Sequence, residues 1–201
     1  MKLKGELIIE INGKEIYRGE SKSLLQNFAR HLRAMIASGA TTPSSATITN
    51  LVGGSATVYG AFDSDSYRTL VSAYNAPDND DTYGIVVGSG DTPVSPTDFN
   101  LASKIPHGTS SGQLDYDTHT TTSSFSSTSS YVEISRIFTN KSGGDVIVKE
   151  VGMITWNYRM DRYNAVTTDV KFLVARDVLP SPILIPNLAS LTVRYRISLS
   201  L

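Results

Sequence analysis

The chain has 201 residues and a mass of 21.7 kDa, which is the size of one ordinary domain. Its 18 Lys and Arg residues against 19 Asp and Glu residues leave a formal net charge of -1, which gives no electrostatic reason to expect nucleic acid or an anionic membrane as the main partner. It contains no Cys, which excludes disulfide scaffolds, thiolate metal sites and cysteine catalysis.

The first predicted element is a β-hairpin. Leu7–Ile11 predicts a strand, Lys14–Arg18 predicts its return, and Asn12-Gly13 supplies the two positive-φ residues of a type I′ turn. Glu10 interrupts the apolar run near the N-terminus, and no run elsewhere approaches the roughly 18 apolar residues that a membrane span needs. The sequence therefore predicts neither a signal peptide nor a membrane-spanning segment.

One amphipathic helix is predicted over Ser23–Ser38. Ser21 or Ser23 can cap its start, and Gly39 is placed to cap its end. Its apolar residues recur with the spacing of one helix face; they are Leu24, Leu25, Phe28, Leu32, Met35 and Ile36. We expect this stripe to pack against a sheet or against a neighbouring subunit. The hairpin and helix, residues 1–40, form a predicted N-terminal unit that precedes a β domain, residues 41–201.

The next stretch contains several short predicted strands. Ala46–Leu51 and Thr57–Phe62 can be strands around a Gly-Gly pair, and Arg68–Tyr74 is compatible with a strand or with one helical turn. Tyr83–Gly88 holds a short continuous apolar run, which is typical of a strand buried on both faces.

Ser and Thr are concentrated in one segment. The chain has 26 Ser and 20 Thr, and eleven of these 46 residues lie in Thr118 and Thr120–Ser130. The segment 108–130 can be a disordered linker. It can also be a β-arm or loop of small hydroxyl side chains that is ordered only against a neighbouring copy.

The last third of the chain has the clearest strand pattern. Tyr131–Thr139 alternates, and Asn140–Gly144 predicts a hairpin loop that leads into Val146–Ile154. A polar insertion is predicted at Asn157–Asp169, and the final strand, Leu191–Leu201, alternates without a break. These patterns predict a mainly β fold: an antiparallel β-sandwich-like domain with an N-terminal β-hairpin and one packed α-helix.

Glu150 is an acidic residue inside the otherwise apolar strand that follows this loop. If it is buried, it needs a cationic partner. Arg136, across the predicted hairpin, is the candidate. The alternative is an exposed pair that contributes little to stability.

The patterns that could indicate a cofactor have simpler interpretations. Gly88-Ser89-Gly90 lacks the third glycine and the helix start of a phosphate-binding loop. The acidic run Asp78–Asp81 lacks the ligand spacing of a Ca²⁺ loop and is typical of a solvated turn. The three imidazoles are too scattered for a metal site; they are His31, His107 and His119. We expect no cofactor and no metal.

The patterns that could indicate catalysis are similarly weak. Gly108–Gly112 matches the letters of a nucleophile elbow around Ser110, but a Pro-containing loop precedes it and a Ser/Thr tract follows. Asp115 and Asp117 can face the same side of a strand as a glycosidase pair, but the aromatic density that is usual at sugar sites is missing. We therefore expect that the protein is not an enzyme.

The segment Trp156–Tyr163 has the composition of an interface hot spot, with Trp, Tyr, Arg and Met close together. Nucleic-acid bases stack on the same side chains, but the balanced charge favours a protein contact, and a local mini-core explains the composition equally well. The predicted interface residues are Leu25, Phe28, Leu32, Phe125, Trp156, Tyr158, Arg159 and Tyr163.

Several short motifs of the second half follow one another in a recognisable order. They are Gly84–Pro93, Leu101–Ile105, Val132–Asn140, Gly143-Gly144, Val148–Met153 and Leu173–Asp177, and the final strand closes the series. In this order they resemble structural proteins of tailed bacterial and archaeal viruses, particularly the N-terminal, tail-attaching region of phage tail-collar fibre proteins. The resemblance covers roughly residues 84–200, whereas the N-terminal hairpin and the helix lie outside it.

This resemblance implies a virion structural protein of a tailed virus, assembled in the host cytoplasm as a homo-oligomer. The implied location is the tail, baseplate, neck or fibre-attachment region, with capsid decoration or the tail tube as alternatives. A carbohydrate-binding module is a further alternative. The expected partners are copies of the chain and other virion proteins, with a host-surface glycan as an additional candidate. Neither nucleic acid nor membrane insertion is expected.

Overall fold

The computed structural model describes residues 2–21, 24–37, 44–60, 67–161 and 166–200. These residues form one helix and twelve strands, connected by turns. The elements are β1 (Lys2–Ile11), β2 (Lys14–Glu20), α1 (Gln26–Ala37), β3 (Ser45–Thr49), β4 (Ser55–Tyr59), β5 (Tyr67–Ala73), β6 (Gly84–Gly88), β7 (Asp115–Tyr116), β8 (Thr120–Phe125), β9 (Ser129–Thr139), β10 (Val146–Asp161), β11 (Val166–Ile185) and β12 (Ser190–Ser200).

Two antiparallel sheets face each other and enclose the main core. The first sheet has the order β2-β1-β12-β9, and both β7 and β8 pair with the outer side of β9. The second sheet has the order β11-β10-β5, and β6 pairs with β10 beside β5. Apolar side chains from both sheets fill the space between them, among them Leu7, Ile9, Leu191, Val193, Val151, Ile154 and Leu173. The prediction of a mainly β, sandwich-like fold with one helix is confirmed.

A third, smaller layer lies on the outer face of the second sheet. The β3–β4 hairpin and α1 pack there on β11, where Phe172 and Val174 point away from the main core. Ile48 and Val58 of the hairpin and Ala34 of the helix complete this second apolar cluster. The helix and the small hairpin therefore cover one face of the second sheet.

The N-terminal hairpin is confirmed in position and in turn type. Asn12 and Gly13 have φ angles of 49° and 77°, the positive values that a type I′ turn requires at both central residues. β1 lies between β2 and β12, and pairs with β12 from Lys2 opposite Ser200 to Ile11 opposite Leu191. The first and last strands of the chain thus share one sheet.

The predicted hairpin at Asn140–Gly144 is wrong, because this loop crosses from one sheet to the other. β9 pairs with β12, β7 and β8, whereas β10 pairs with β11, β5 and β6. The buried Asn140 side chain donates hydrogen bonds to the carbonyls of Gly144 and Ile185, at 2.8 Å each. These bonds satisfy backbone groups in the crossing and anchor it to the end of β11.

Two other segments also differ from the expectation. The predicted polar insertion Asn157–Asp169 is largely a continuation of two long strands, since β10 and β11 pair from Val146 opposite Ile185 to Met160 opposite Val166. The hydroxyl-rich segment is not a linker: β8 and β9 pair as a hairpin from Thr120 opposite Ser135 to Phe125 opposite Ser130.

Glu150 is fully buried, and its partner is Arg176 on β11 rather than Arg136. The distance from Glu150 Oε2 to Arg176 Nε is 2.7 Å. The backbone amides of Gly90, Ala102 and Ser103 also donate to the carboxylate. The guanidinium of Arg136 is engaged elsewhere, where it donates to the backbone carbonyls of Asp117, Ile85, Pro77 and Asp80.

The Gly-Ser-Gly pattern after β6 is explained by this same carboxylate. A Cβ atom on Gly88 would lie 2.6 Å from Glu150 Oε1, and one on Gly90 would lie 2.5 Å from it. Real Cβ contacts are not this short, so both positions require glycine for the chain to pass Glu150. The pattern is a structural feature of the core.

Candidate assembly surface

The face of α1 that packs on the protein is polar at its centre. Asn27 donates from Nδ2 to the carbonyl of Thr49 at 2.8 Å and accepts the Thr49 amide at 3.0 Å. His31 Nε2 lies 3.0 Å from Ser72 Oγ, and its ring meets Phe172 edge-on at 5.2 Å. These contacts orient the helix by hydrogen bonds as well as by apolar packing.

The apolar stripe of α1 is therefore rotated away from the sheet. At 3.6 residues per turn, Leu32 and Ile36 lie on a different side of the helix from Asn27 and His31. The exposed apolar residues of this segment are Leu24, Leu32, Met35 and Ile36, of which Ile36 is 76% exposed. The predicted alternative in which the whole stripe packs on a sheet is therefore wrong for a single copy of the chain.

The predicted interface residues of this helical region have different environments. Leu25 is buried in the main core at 2% exposure, and its amide donates to the carbonyl of Val174. Phe28 is half-buried against the second cluster. Leu32 is exposed and belongs to what we call the helix stripe: Leu32, Met35 and Ile36.

A second exposed apolar surface lies at one end of the first sheet. β12 has Val193 and Tyr195 in the core, but Ile197 and Leu199, on the same face, are exposed. Val132 lies opposite Ile197, and Phe125 shares a row with Leu199 through Ser130. We call Phe125, Val132, Ile197 and Leu199 the projecting end; Phe125 is 74% exposed.

The length of the final strand is a sequence signal for this surface. The alternation of the final strand was predicted correctly, but eleven residues span about 36 Å at roughly 3.3 Å per residue, well beyond the usual strand of about 5–6 residues. A strand of this length extends past the sheet that covers it. Ile197 and Leu199 were missed for this reason, as was Val132, which lies opposite Ile197 on β9.

The other face of the first sheet is closed by its own ion pairs. Arg194 bridges Glu10 at 3.0 Å and Glu133 at 3.2 Å, and Arg196 binds Glu133 at 2.7 Å. Arg196 also lies over the ring of Tyr131, 4.4 Å from its centroid. This charged face has its cations and carboxylates matched, in contrast to the apolar projecting end.

Trp156 is the centre of a local aromatic cluster. Its ring lies 5.4 Å from that of Tyr83 and 5.0 Å from that of Tyr158, and its Nε1 donates to Asp169 at 2.7 Å. Lys171 Nζ is 5.6 Å from the ring centroid. The Trp156 side chain is thus engaged within the protomer. The Arg159 side chain and all of Tyr163 lie outside the described residues.

The acidic turn is held by cations of the chain itself. Asp81 forms an ion pair with Lys104 at 3.1 Å. The guanidinium of Arg136, which is fully buried, donates to the carbonyls of Pro77 and Asp80. The Asp81 carboxylate and the carbonyls of Pro77 and Asp80 are therefore used for internal contacts.

The residues considered for catalysis are held in separate contacts. Asp115 pairs with Lys141 and lies 3.6 Å from His107, while Asp117 caps the amide of Thr118. The amide of Ser110 donates to Gln113 in an exposed turn. Each of these groups is therefore engaged in its own local contact.

His119 is a buried, neutral imidazole that joins two segments. The Ile85 amide donates to its Nε2 at 2.7 Å, so Nδ1 carries the proton and donates to the carbonyl of Ala76 at 3.0 Å. Burial, reinforced by the nearby positive charge of Arg136, lowers the pKa of His119 to about 4. Protonation at Nε2 breaks the hydrogen bond from Ile85.

Acid is expected to destabilise the fold through this group. The pKa of His119 is lower in the folded than in the unfolded chain, so its contribution is present above about pH 6.5 and is lost as the pH falls towards 4. The loss is on the order of 3 kcal/mol at about 1.4 kcal/mol per pKa unit. Urea denaturation at several pH values measures it. His119→Gln keeps one acceptor and one donor without titrating, so a slope equal to the wild type's would contradict the assignment.

Comparison of the chain with protein-family models, with curated proteins and with solved structures finds no match. No helix in the described part of the chain is long and apolar enough to cross a membrane.

Proposed function

We propose that this chain is a non-enzymatic structural protein of a tailed virus particle and that it works by assembling with copies of itself and with other virion proteins. The observation that carries this proposal is the pair of exposed apolar surfaces, the helix stripe and the projecting end. The motif order between residues 84 and 200 supports the viral assignment. The proposed position is the tail, baseplate, neck or fibre-attachment region. The alternative is a capsid-decorating or tail-tube protein.

The exposed apolar surfaces support assembly on energetic grounds. Transfer of apolar area out of water stabilises an association by roughly 25 cal/mol per Å², and contiguous apolar patches on a soluble protein commonly mark interaction sites. Ile36 and Phe125 are each about three-quarters exposed. The near-zero net charge allows copies to approach without strong repulsion.

Light scattering on the purified chain at micromolar concentration tests the proposal. We expect a mass that is a multiple of 21.7 kDa, and a smaller mass for the double variant Leu32→Ser/Ile36→Ser or for Ile197→Ser. Val52→Ser is the matched control, because Val52 is 87% exposed in the β3–β4 turn, outside both surfaces. A wild-type chain that stays monomeric and binds no virion protein would contradict the proposal.

A further inference from the structure

β8 is an edge strand with no protection against pairing. All six of its residues are exposed, and β9 is its only strand partner among the described residues. Because hydrogen-bonding groups alternate along an antiparallel strand, every second residue of β8 directs its N–H and C=O away from β9. Its sequence, Thr120–Phe125, contains no charged residue and no proline, the two features that usually protect a sheet edge.

Four other edge strands, β2, β3, β4 and β11, carry features that hinder pairing. β2 carries alternating charges, with Arg18 paired to Glu15. Asn27 blocks the end of β3, because its side chain accepts a hydrogen bond from the amide of Thr49 and donates one to the carbonyl of Thr49. β4 is closed by Asn157, which binds the amide and carbonyl of Tyr59.

β11, at the edge of the second sheet, includes Pro180 and Pro182, and proline blocks edge pairing because it has no N–H donor. β8 carries none of these features, so its outer edge is open to pairing.

The sequence of β8 is complementary to itself in antiparallel register. With Ser123 opposite Ser123 of a second copy, Thr122 lies opposite Ser124 and Thr121 opposite Phe125. Hydroxyl pairs across neighbouring strands are favourable, and no like charges meet. An antiparallel pair of identical strands has a two-fold axis perpendicular to the sheet, which is the symmetry of most homodimers.

We propose that two copies of this chain associate through β8, which pairs with β8 of the second copy about a two-fold axis at Ser123. This inference rests on the proposed homo-oligomeric function, and it names the contact through which two copies associate. The first sheet of each copy then continues into the other with the usual spacing of about 4.8 Å between strands. Phe125 of each copy lies against Thr121 of the other, so the projecting ends flank the shared edge.

Single-cysteine variants test this register directly, because the natural chain has no Cys. In Ser123→Cys, the two cysteines lie opposite each other with Cα atoms about 4.5–5.5 Å apart, within the range of about 4.4–6.8 Å for a disulfide. Mild oxidation is expected to give a covalent dimer on a non-reducing gel. In Thr121→Cys, the two copies of the cysteine are about four residues apart along the strands, roughly 13 Å, and no disulfide is expected.

A charge at the axis tests the contact without oxidation. Ser123→Lys places two ammonium groups opposite each other, so we expect at least a tenfold weaker association by light scattering over a dilution series. The fold is retained, because the Ser123 side chain is exposed. Ser55→Cys and Ser55→Lys are the matched controls, since Ser55 is an exposed strand residue on β4; neither cross-linking nor weakening is expected.

The outcomes separate this inference from the proposed function. If the wild type assembles but Ser123→Cys does not cross-link, or cross-linking occurs instead at Thr121, the β8 contact in this register is overturned and assembly through other surfaces stands. If Ser123→Lys assembles as tightly as the wild type, the contact is also overturned. A monomeric wild type overturns both the contact and the proposed function.

Discussion

Replacing Arg176 by methionine is expected to lower the free energy of unfolding by about 3–5 kcal/mol, the cost of breaking a buried ion pair. The side chains of Arg176 and Glu150 are 2% and 0% exposed, respectively. Arg176 also binds Asp98 at 2.7 Å and the carbonyl of Thr92 at 3.0 Å. Its removal leaves the Glu150 carboxylate buried without a counter-charge. Urea denaturation at neutral pH measures the change.

An exposed ion pair made by Lys149, the neighbour of Glu150 on β10, provides the control. Lys149 Nζ lies 2.7 Å from Asp91, and its side chain is 34% exposed. Exposed pairs of this kind contribute about 1 kcal/mol or less, so Lys149→Met is expected to have a small effect. Comparable small losses for Lys149→Met and Arg176→Met would contradict the role of the buried pair.

Arg136→Met is the second substitution with a large expected effect, about 3 kcal/mol or more. The guanidinium is fully buried and donates to four backbone carbonyls, those of Asp117, Ile85, Pro77 and Asp80. Each buried carbonyl left without a donor costs about 1–3 kcal/mol, and water entering the site reduces the sum. The free energy of unfolding from urea denaturation checks the value.

Two further variants distinguish hydrogen bonding from charge at this site. Arg136→Lys retains the charge but lacks the planar fork that reaches carbonyls on several segments, so we expect it to lose most of the same stability. Arg18→Met removes an exposed arginine paired with Glu15 and is expected to cost about 1 kcal/mol or less. A stability of Arg136→Lys equal to the wild type's would show that charge alone suffices.

The candidate surface could be predicted only in part from the sequence. The period of the helix stripe indicated an amphipathic helix, but apolar periodicity alone does not show which face packs inward. The hydrogen bonds of Asn27 to Thr49 and the packing of His31 on Phe172 decided the orientation. Neither contact has a local sequence signal, because the partners are 22 and 141 positions away along the chain. Phe125 was among the predicted interface residues, in the hydroxyl-rich segment that was expected to be an arm or loop ordered by a neighbouring copy.

The loop at Asn140–Gly144 shows the same limit for the sheets. A turn-rich loop between two alternating segments predicts a hairpin when neighbouring strands pair, and here the strands belong to opposite sheets. The partner of Glu150 was misassigned as a consequence, because cross-strand contacts follow the pairing of strands. The hydrogen-bonding sides of β9 are already occupied by β12 on one side and by β7 and β8 on the other.

Local chemistry determined much of this protein. The sequence alone indicated the alternation of β9 and β12, the Asn-Gly turn and the buried run of β6. These features depend on residues that are close together along the chain. The assignment of strands to sheets, the outward rotation of the helix stripe and the length of uncovered sheet arose from contacts between distant segments. The role of the near-neutral, hydroxyl-rich composition also became clear only from the tertiary structure. The fold places the uncharged strand Thr120–Phe125 at a sheet edge, where we propose that it pairs with the same strand of a second copy.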